Sequence, residues 1–230
     1  MSISQQSIRG KFVVLEGPDG VGKTTQLQLL QRYLETKGLE VVVVREPGGT
    51  AVGEGIRDLF KNNFGLTDPV AEVLMMLAAR QQLSVEIIQP ALAKGAWVIS
   101  DRHTPSTFAY QGAGHGLGFQ RVCELREPLL HYPGHVADLT MILEVSAEAR
   151  LVRLLARGEL DRVDLAGEKF KNQVTNAYDE MLHGNWELNL GRLVGIDGSD
   201  HPEVVHRRVV NAVEHAWNEN IYFDALKATP

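Results

Sequence analysis

The chain has a single cysteine, Cys123, among 230 residues, so neither an internal disulfide nor a cysteine-built metal site can form. Cys123 reads as filler on a helix in a protein of a reducing compartment. Long apolar runs are missing too. No stretch approaches the ~18 residues of a membrane span, and the opening MSISQQSIRG has no apolar segment of the kind a signal peptide carries. The expectation is a cytoplasmic protein with no membrane partner. Dense Lys/Arg runs are also lacking and the formal net charge is −6, which argues against nucleic acid as a partner, since phosphate contacts dominate such affinity. No internal repeat, low-complexity block or Pro/Gly/Ser-rich linker divides the chain. With 44% hydrophobic and 23% charged residues, 1–230 read as one globular domain.

What is present begins with EGPDGVGKTT, residues 16–25. Gly17, Gly22, Lys23 and Thr24 fit the spacing G-x-x-x-x-G-K-[ST], in which a glycine-rich turn aims successive backbone N–H groups at phosphate oxygens. The run KFVVLE before it predicts a short strand. After it, Leu27, Leu30 and Leu34 predict an amphipathic helix ending at Gly38. A loop between a strand and a helix N-terminus is where the helix dipole and free N–H groups favour an anion. Lys23 would reach the outer phosphates and the Thr24 hydroxyl would hold Mg²⁺.

Strands near residues 11–16, 40–45, 96–100, 138–144 and 191–196 alternate with helical stretches. This predicts an α/β fold, a five-stranded parallel sheet with helices on both faces. The strands are nearly continuous apolar runs, as burial of both faces requires. In such sheets ligands bind beyond the carboxyl ends of the strands. There the phosphate loop should meet Arg45-Glu46-Pro47-Gly48-Gly49-Thr50, Asp101-Arg102-His103 and Asp197-Gly198-Ser199. Lys23, Arg45 and Arg102 at one edge carry more positive charge than one donor needs, and imply a second phosphate held by arginine forks. A further set, Arg150, Arg153 and Arg157, shares a helical face that Gly158 ends. Arg162 follows before a helix starting near Glu168. Residues 157–167 therefore read as a small lid whose arginines close over phosphates.

No residue stands out as an obligatory nucleophile or base. That suits transfer to a phosphate monoester, whose second pKa of about 6 leaves the acceptor oxygen ionised at neutral pH. A switch GTPase would carry an N-K-x-D box, and none occurs. A nucleotide-binding module without transfer activity is the alternative from another class.

EGPDGVGKTT, REPGGT, EVLMMLAAR, DRHTPSTFAYQGAG and RGELDR occur in the order and spacing of bacterial thymidylate kinases, which the chain resembles from about Lys11 to Trp217. The resemblance implies the P-loop NTPase fold and the reaction of ATP with dTMP to give ADP and dTDP, with Mg²⁺, usually in a homodimer. It implies that Gly17, Pro18, Asp19, Gly20, Val21, Gly22, Lys23, Thr24 and Thr25 bind the donor. Asp19 would face the acceptor's sugar hydroxyl and phosphate, and Arg45 and Arg102 would grip that phosphate. Arg80 and Thr107 would read the thymine edge, with Met76, Ser106, Tyr110, Gln111, Asp161 and Asp164 completing the substrate set. Asp101 would support the metal ion, beside Thr24, or Arg102. Gly20 stands where eukaryotic relatives place an arginine, which points to Arg153, Arg157 and Arg162 in the lid as the catalytic cations. The alternative within this class is a kinase of broader or different acceptor range.

Three positions depart from the family pattern. Met76 replaces a phenylalanine that stacks on thymine, His115 stands where the pattern has a permanent charge, and Asp164 shortens the lid's usual glutamate. A helix over roughly 69–94 is predicted between Asp68-Pro69 and Gly95. One apolar stripe (Val70, Leu74, Leu77, Val85, Ile88, Leu92) would lie on the sheet, and a second (Met76, Leu83, Ile87) would face a base, a partner subunit or core. His131 and His135 are separated by Pro133-Gly134, so a helical metal pair is not expected. The other histidines are assigned to the surface.

Overall fold

Five short apolar segments pair in register: β1 (Phe12–Glu16), β2 (Val41–Arg45), β3 (Trp97–Asp101), β4 (Leu139–Glu144) and β5 (Arg192–Asp197). The computed structural model describes residues 9–61, 68–157, 167–184 and 186–217, with Arg157 described by its backbone alone. All pairings are parallel, in the order β2-β3-β1-β4-β5. β1, in the middle, delivers the phosphate loop at its carboxyl end. The expected strands are borne out to within two residues.

Alternation along β1 sorts the core. Val13 and Leu15 pack with α1 (Lys23–Thr36) and α9 (Pro202–Ala216) through Leu27, Leu30, Leu34, Val205, Val209 and Val213. Phe12 and Val14 face the other side, where α3 (Pro69–Leu83) contributes Leu83 and α4 (Gln89–Ala93) contributes Leu92. A third cluster joins α3 to α6 (Phe119–Arg126) and α8 (Glu168–His183) beneath Ile142. Leu30 and Leu34 are fully buried, and truncating either to alanine would cost about 2–5 kcal/mol. The shorter helices α2 (Ala51–Lys61), α5 (Thr104–Thr107) and α7 (Ala147–Arg157) rim the carboxyl edge.

The helix starting at Pro69 begins where expected: the Asp68 carboxylate accepts the Ala71 N–H at 2.8 Å. Its inner face differs from the predicted stripe. Leu77, Ile88 and Leu92 are buried, but Leu74 and Val85 are half exposed. A π-helical turn over Ser84–Ile88, running into α4, shifts the phase, and the inward positions are shared with the polar residues Glu72, Arg80 and Ser84. The surface assignment of the other histidines fails for His103, which is buried with Nε2 on the Gly134 carbonyl at 3.0 Å; His135 is buried too, with Nε2 on Gln81 Oε1 at 2.6 Å. Burial, with the nearby Arg80 charge, lowers the pKa of His135 to about 4 and that of His103 well below the usual range, so both are neutral. Cys123 sits half-buried on α6, as expected. No helix among the described residues is long and apolar enough to cross a membrane.

Candidate active site

The loop after β1 needs glycine: Gly17, Gly20 and Gly22 have φ of 129°, 83° and 98°, values that side chains rarely adopt. It wraps one wall of a cavity of about 590 Å³, lined by residues 19–26 and reached by Arg45, Arg57, Asp101, Arg102 and Arg153. α1 starts at Lys23 with no acidic side chain in its first turn, leaving its N–H groups and dipole to this space. Lys23 Nζ donates to the Gly17 and Pro18 carbonyls at 3.0 and 2.9 Å. Burial, with the Arg102 charge, lowers its pKa to about 8. Thr24 Oγ1 lies 3.4 Å from Asp101 Oδ2, and Asp101 Oδ1 is buried with no hydrogen-bond partner. An unpaired carboxylate oxygen beside a hydroxyl is a donor set for a hard cation such as Mg²⁺. From α7, Arg153 donates to the Val21 and Gly198 carbonyls at 3.2 and 2.9 Å. α7 also presses on the loop: a Cβ at Gly20 would lie 2.9 Å from the Arg150 carbonyl oxygen and 3.0 Å from Leu154 Cγ.

Arg102 occupies the centre. It follows β3 in the left-handed region, φ 72°, a conformation held by its N–H on the Leu15 carbonyl and by Ser100 Oγ on its own carbonyl. The turn brings its guanidinium back under the loop. There it meets Asp19 Oδ1 at 2.6 Å, the Gly17 carbonyl at 3.2 Å, Ser106 Oγ at 3.0 Å, and the hydroxyls of Tyr110 and Tyr178 at 3.0 and 3.3 Å. Burial alone would raise the Asp19 pKa. The Arg102 and Lys23 charges and the Tyr110 hydroxyl outweigh it and hold the carboxyl well below the usual range. Beneath lies Glu16, fully buried at the end of β1. Its carboxylate accepts from the His103 N–H (2.7 Å), the Ser106 N–H and hydroxyl (3.1 and 2.8 Å) and the Tyr178 hydroxyl (2.9 Å). Ser106 and Tyr178 thus touch both Glu16 and Arg102.

A second, smaller cavity of about 210 Å³ opens on the far side of Asp19 and Arg102, walled by Phe60, Met76, Arg80, Thr107, Tyr110 and Gln111 among others. Asp19, Glu46, Arg57 and Arg102 line both cavities. Arg80 is fixed twice, by Glu46 Oε2 at 2.7 Å on Nε and Thr107 Oγ1 at 3.1 Å on Nη2, while its Nη1 is buried without a partner. Gln111 Nε2 donates to Glu72 Oε2 at 3.0 Å, and His115 Nε2 stands 3.5 Å from the same oxygen.

The model of the family described as thymidylate kinase matches residues 15–209, the span that carries both cavities. The chain is 39% identical over 211 residues to a thymidylate kinase of Nitrosomonas europaea, covering 92% of this chain and 95% of that one. It is 38% identical to one of Caldanaerobacter subterraneus, covering 90% and 96%. The crystal structure of thymidylate kinase from Ehrlichia chaffeensis superposes with a TM-score of 0.68 at 30% identity, over 90% of this chain and 99% of that one. The chain belongs to the thymidylate kinase family.

Within this thymidylate kinase frame, most of the expected site residues do meet. Asp19 to Thr25, Asp101, Arg102, Ser106, Thr107, Tyr110, Gln111, Met76 and Arg80 all border one of two cavities joined at Asp19 and Arg102, while Pro18 faces a separate, smaller cleft beside Tyr110 and Phe170. Asp101 faces Thr24, so of its two expected roles the geometry favours the one beside the metal position. Arg45 borders the donor side but is half exposed and held by Glu54, at 2.9 and 2.7 Å from its two oxygens. Arg153 reaches the loop. The Arg157 side chain, Arg162, Asp161 and Asp164 lie outside the described residues, as does most of the expected lid. Five residues were given no role from the sequence: Glu16, Glu46, Arg57, Glu72 and Phe60. For the first two a signal existed, an acidic residue at the carboxyl end of an apolar strand. Arg57, whose Nε is buried and unpaired while Nη1 holds the Pro47 carbonyl at 3.1 Å, gives none in its spacing.

Proposed function

We propose that this chain transfers the terminal phosphoryl group of ATP to dTMP, giving ADP and dTDP, by direct in-line displacement without a covalent intermediate. The observation that carries the reading is the pair of cavities that share Asp19 and Arg102: one polar and bordered by a phosphate loop, one smaller, more apolar and walled by Phe60, Met76 and Tyr110. ATP phosphates bind the loop N–H groups and displace the Lys23 ammonium from its carbonyls, and Lys23 and Arg153 then neutralise charge on the transferring group. Thr24 and Asp101 would hold Mg²⁺, which supplies further neutralisation of the phosphate charge. Arg102, Arg57 and Arg45 hold the acceptor phosphate in line. Asp19, kept ionised, accepts the sugar hydroxyl. Arg80 Nη1 and the Thr107 hydroxyl donate to carbonyl oxygen on the base, while Met76 and Phe60 cover its faces. Arg157 and Arg162, with Asp161 and Asp164, close from the lid.

The protein acts as one domain in the cytoplasm. A homodimer is supported by Leu74, Ala78 and Val85, spaced four and seven residues apart and exposed on the helix whose inner face carries Arg80. The test is ADP formation with dTMP, dUMP, ribo-TMP, dCMP, dGMP and AMP offered separately. Preference for dTMP by orders of magnitude is expected. Met76 favours a second reading, a relaxed acceptor range, and equal rates with dUMP or a purine monophosphate would establish it instead.

A further inference from the structure

Among the described residues Arg80 is one of the most deeply buried side chains, and its only acidic hydrogen-bond partner there is Glu46, itself buried. A guanidinium is planar, has five N–H donors and accepts nothing. Two anchors on different nitrogens therefore fix its plane and its direction together. Glu46 Oε2 takes Nε and Thr107 Oγ1 takes Nη2, which leaves Nη1 as the edge without a partner. Glu46 is in turn fixed from β2: its N–H donates to the Asp101 carbonyl at 3.0 Å, extending the β2–β3 ladder by one residue. Its other oxygen, Oε1, has no hydrogen-bond partner. The nearest ring nitrogen, His103 Nδ1, is 3.6 Å away on a neutral imidazole that sits 3.0 Å from Thr104 Oγ1. The carboxylate is therefore committed to one cation.

We infer that Glu46 is the positioning residue for acceptor discrimination: by holding Arg80 at Nε it turns a fixed, donor-only edge into the ring cavity, so a base with a carbonyl there is taken and one with an amino group is refused. Two donors facing each other in a buried site leave both unsatisfied, and sites built on hydrogen bonds discriminate far more strongly than apolar ones. Glu46 borders the cavity itself, but its positioning role acts through the Arg80 guanidinium that it holds. This rests on the proposed reading of the smaller cavity as the nucleotide acceptor site.

The experiment compares Glu46→Gln and Glu46→Asp with the wild type, using dTMP and dCMP as acceptors and measuring KM for ATP in each. For Glu46→Gln, kcat/KM for dTMP should fall about 10- to 100-fold, mainly through KM. The dTMP-to-dCMP ratio should fall at least about tenfold, with KM for ATP within about twofold of wild type. Glu46→Asp keeps the charge with a shorter reach; it should retain an intermediate ratio and serves where the glutamine variant does not fold. An unchanged dTMP-to-dCMP ratio in the folded variants, with any loss shared equally by ATP and dTMP, would overturn the inference and leave Glu46 as an ion pair of the fold. If the wild type shows no preference for dTMP over dCMP, the acceptor reading fails and this inference fails with it; if the wild type discriminates and the variants do too, only the role of Glu46 falls.

Discussion

The two cavities on either side of Arg102 are built on opposite plans. The donor side is centred on one contiguous stretch of chain, residues 19–26, with single residues such as Asp101 and Arg153 reaching in from other segments. Its anion-binding groups are backbone N–H groups and cations held mainly by backbone oxygens: Lys23 bonds to carbonyls, with the Asp19 carboxylate 4.0 Å away, Arg153 bonds to carbonyls too, and Arg45, tied to Glu54, is the exception. The acceptor side is made from side chains of several separate segments, each tied to a buried carboxylate: Arg80 to Glu46, Gln111 to Glu72, and Arg102, through Ser106 and Tyr178, to Glu16. One side holds charge that waits for a ligand. The other has its polar groups paired and aimed before any ligand arrives. Phosphate chains are alike in every nucleoside triphosphate and can be met by repeating backbone, whereas a base and sugar require directions that only fixed side chains supply.

The largest break in this contrast is expected at the group both sides share. Arg102→Lys removes the planar fork that binds Asp19 and Tyr110 together, leaving only their mutual hydrogen bond at 2.8 Å, so kcat/KM for the acceptor should fall about 10²- to 10³-fold. Steady-state kinetics with saturating ATP would show it, and a loss under threefold would place Arg102 away from the reacting phosphates. The waiting charge on the donor side should appear in stability. With its folded pKa at about 8, Lys23 gives up its proton earlier in the native than in the unfolded protein. Above pH 8 the unfolded state binds more protons, so the stability of the ligand-free protein rises with pH up to the ordinary lysine range. Lys23→Met removes the cost of holding that charge. It should abolish transfer, yet stabilise the ligand-free protein by about 1–3 kcal/mol at pH 7, with the gain shrinking toward pH 9. Denaturant unfolding at the two pH values tests this, and a gain that does not vary with pH refutes it. The smallest effect concerns the ring cavity. Phe60→Leu should raise KM for dTMP about three- to tenfold, corresponding to ~0.5–1.5 kcal/mol of aromatic contact, and adding Met76→Phe should restore most of it. Independent, additive effects would show that the two residues do not cover the same base.

The same contrast explains what was legible in the sequence. Lys23 and Thr24 are adjacent, at fixed spacing from Gly17, and a strand and a helix flank them, so the donor side could be located from spacing alone. The strands were legible because burial on both faces leaves unbroken apolar runs such as FVVLE and LTMILE. Arg80 and Gln111 came only through resemblance, and their carboxylates not at all. The strand-end position marks Glu16 and Glu46, but nothing local tells that they, or Glu72, are buried and paired, because the partner that makes each tolerable lies 34 or more residues away. The misplaced stripe on α3 has a related cause. Counting apolar residues at helical spacing assigned Leu74 and Val85 inward, but the inner positions belonged to Glu72, Arg80 and Ser84, and the π-helical turn moved the phase.

The contact between Gly20 and α7 bears on how such an enzyme can change over generations. Here the loop is bare at position 20 because the helix leading to the lid rests on it, with the Arg150 carbonyl and Leu154 where a side chain would begin. An arginine side chain at that point and a helix seated in this way compete for the same volume, so a substitution at position 20 has to displace the helix that carries Arg153 before it can add charge to the loop.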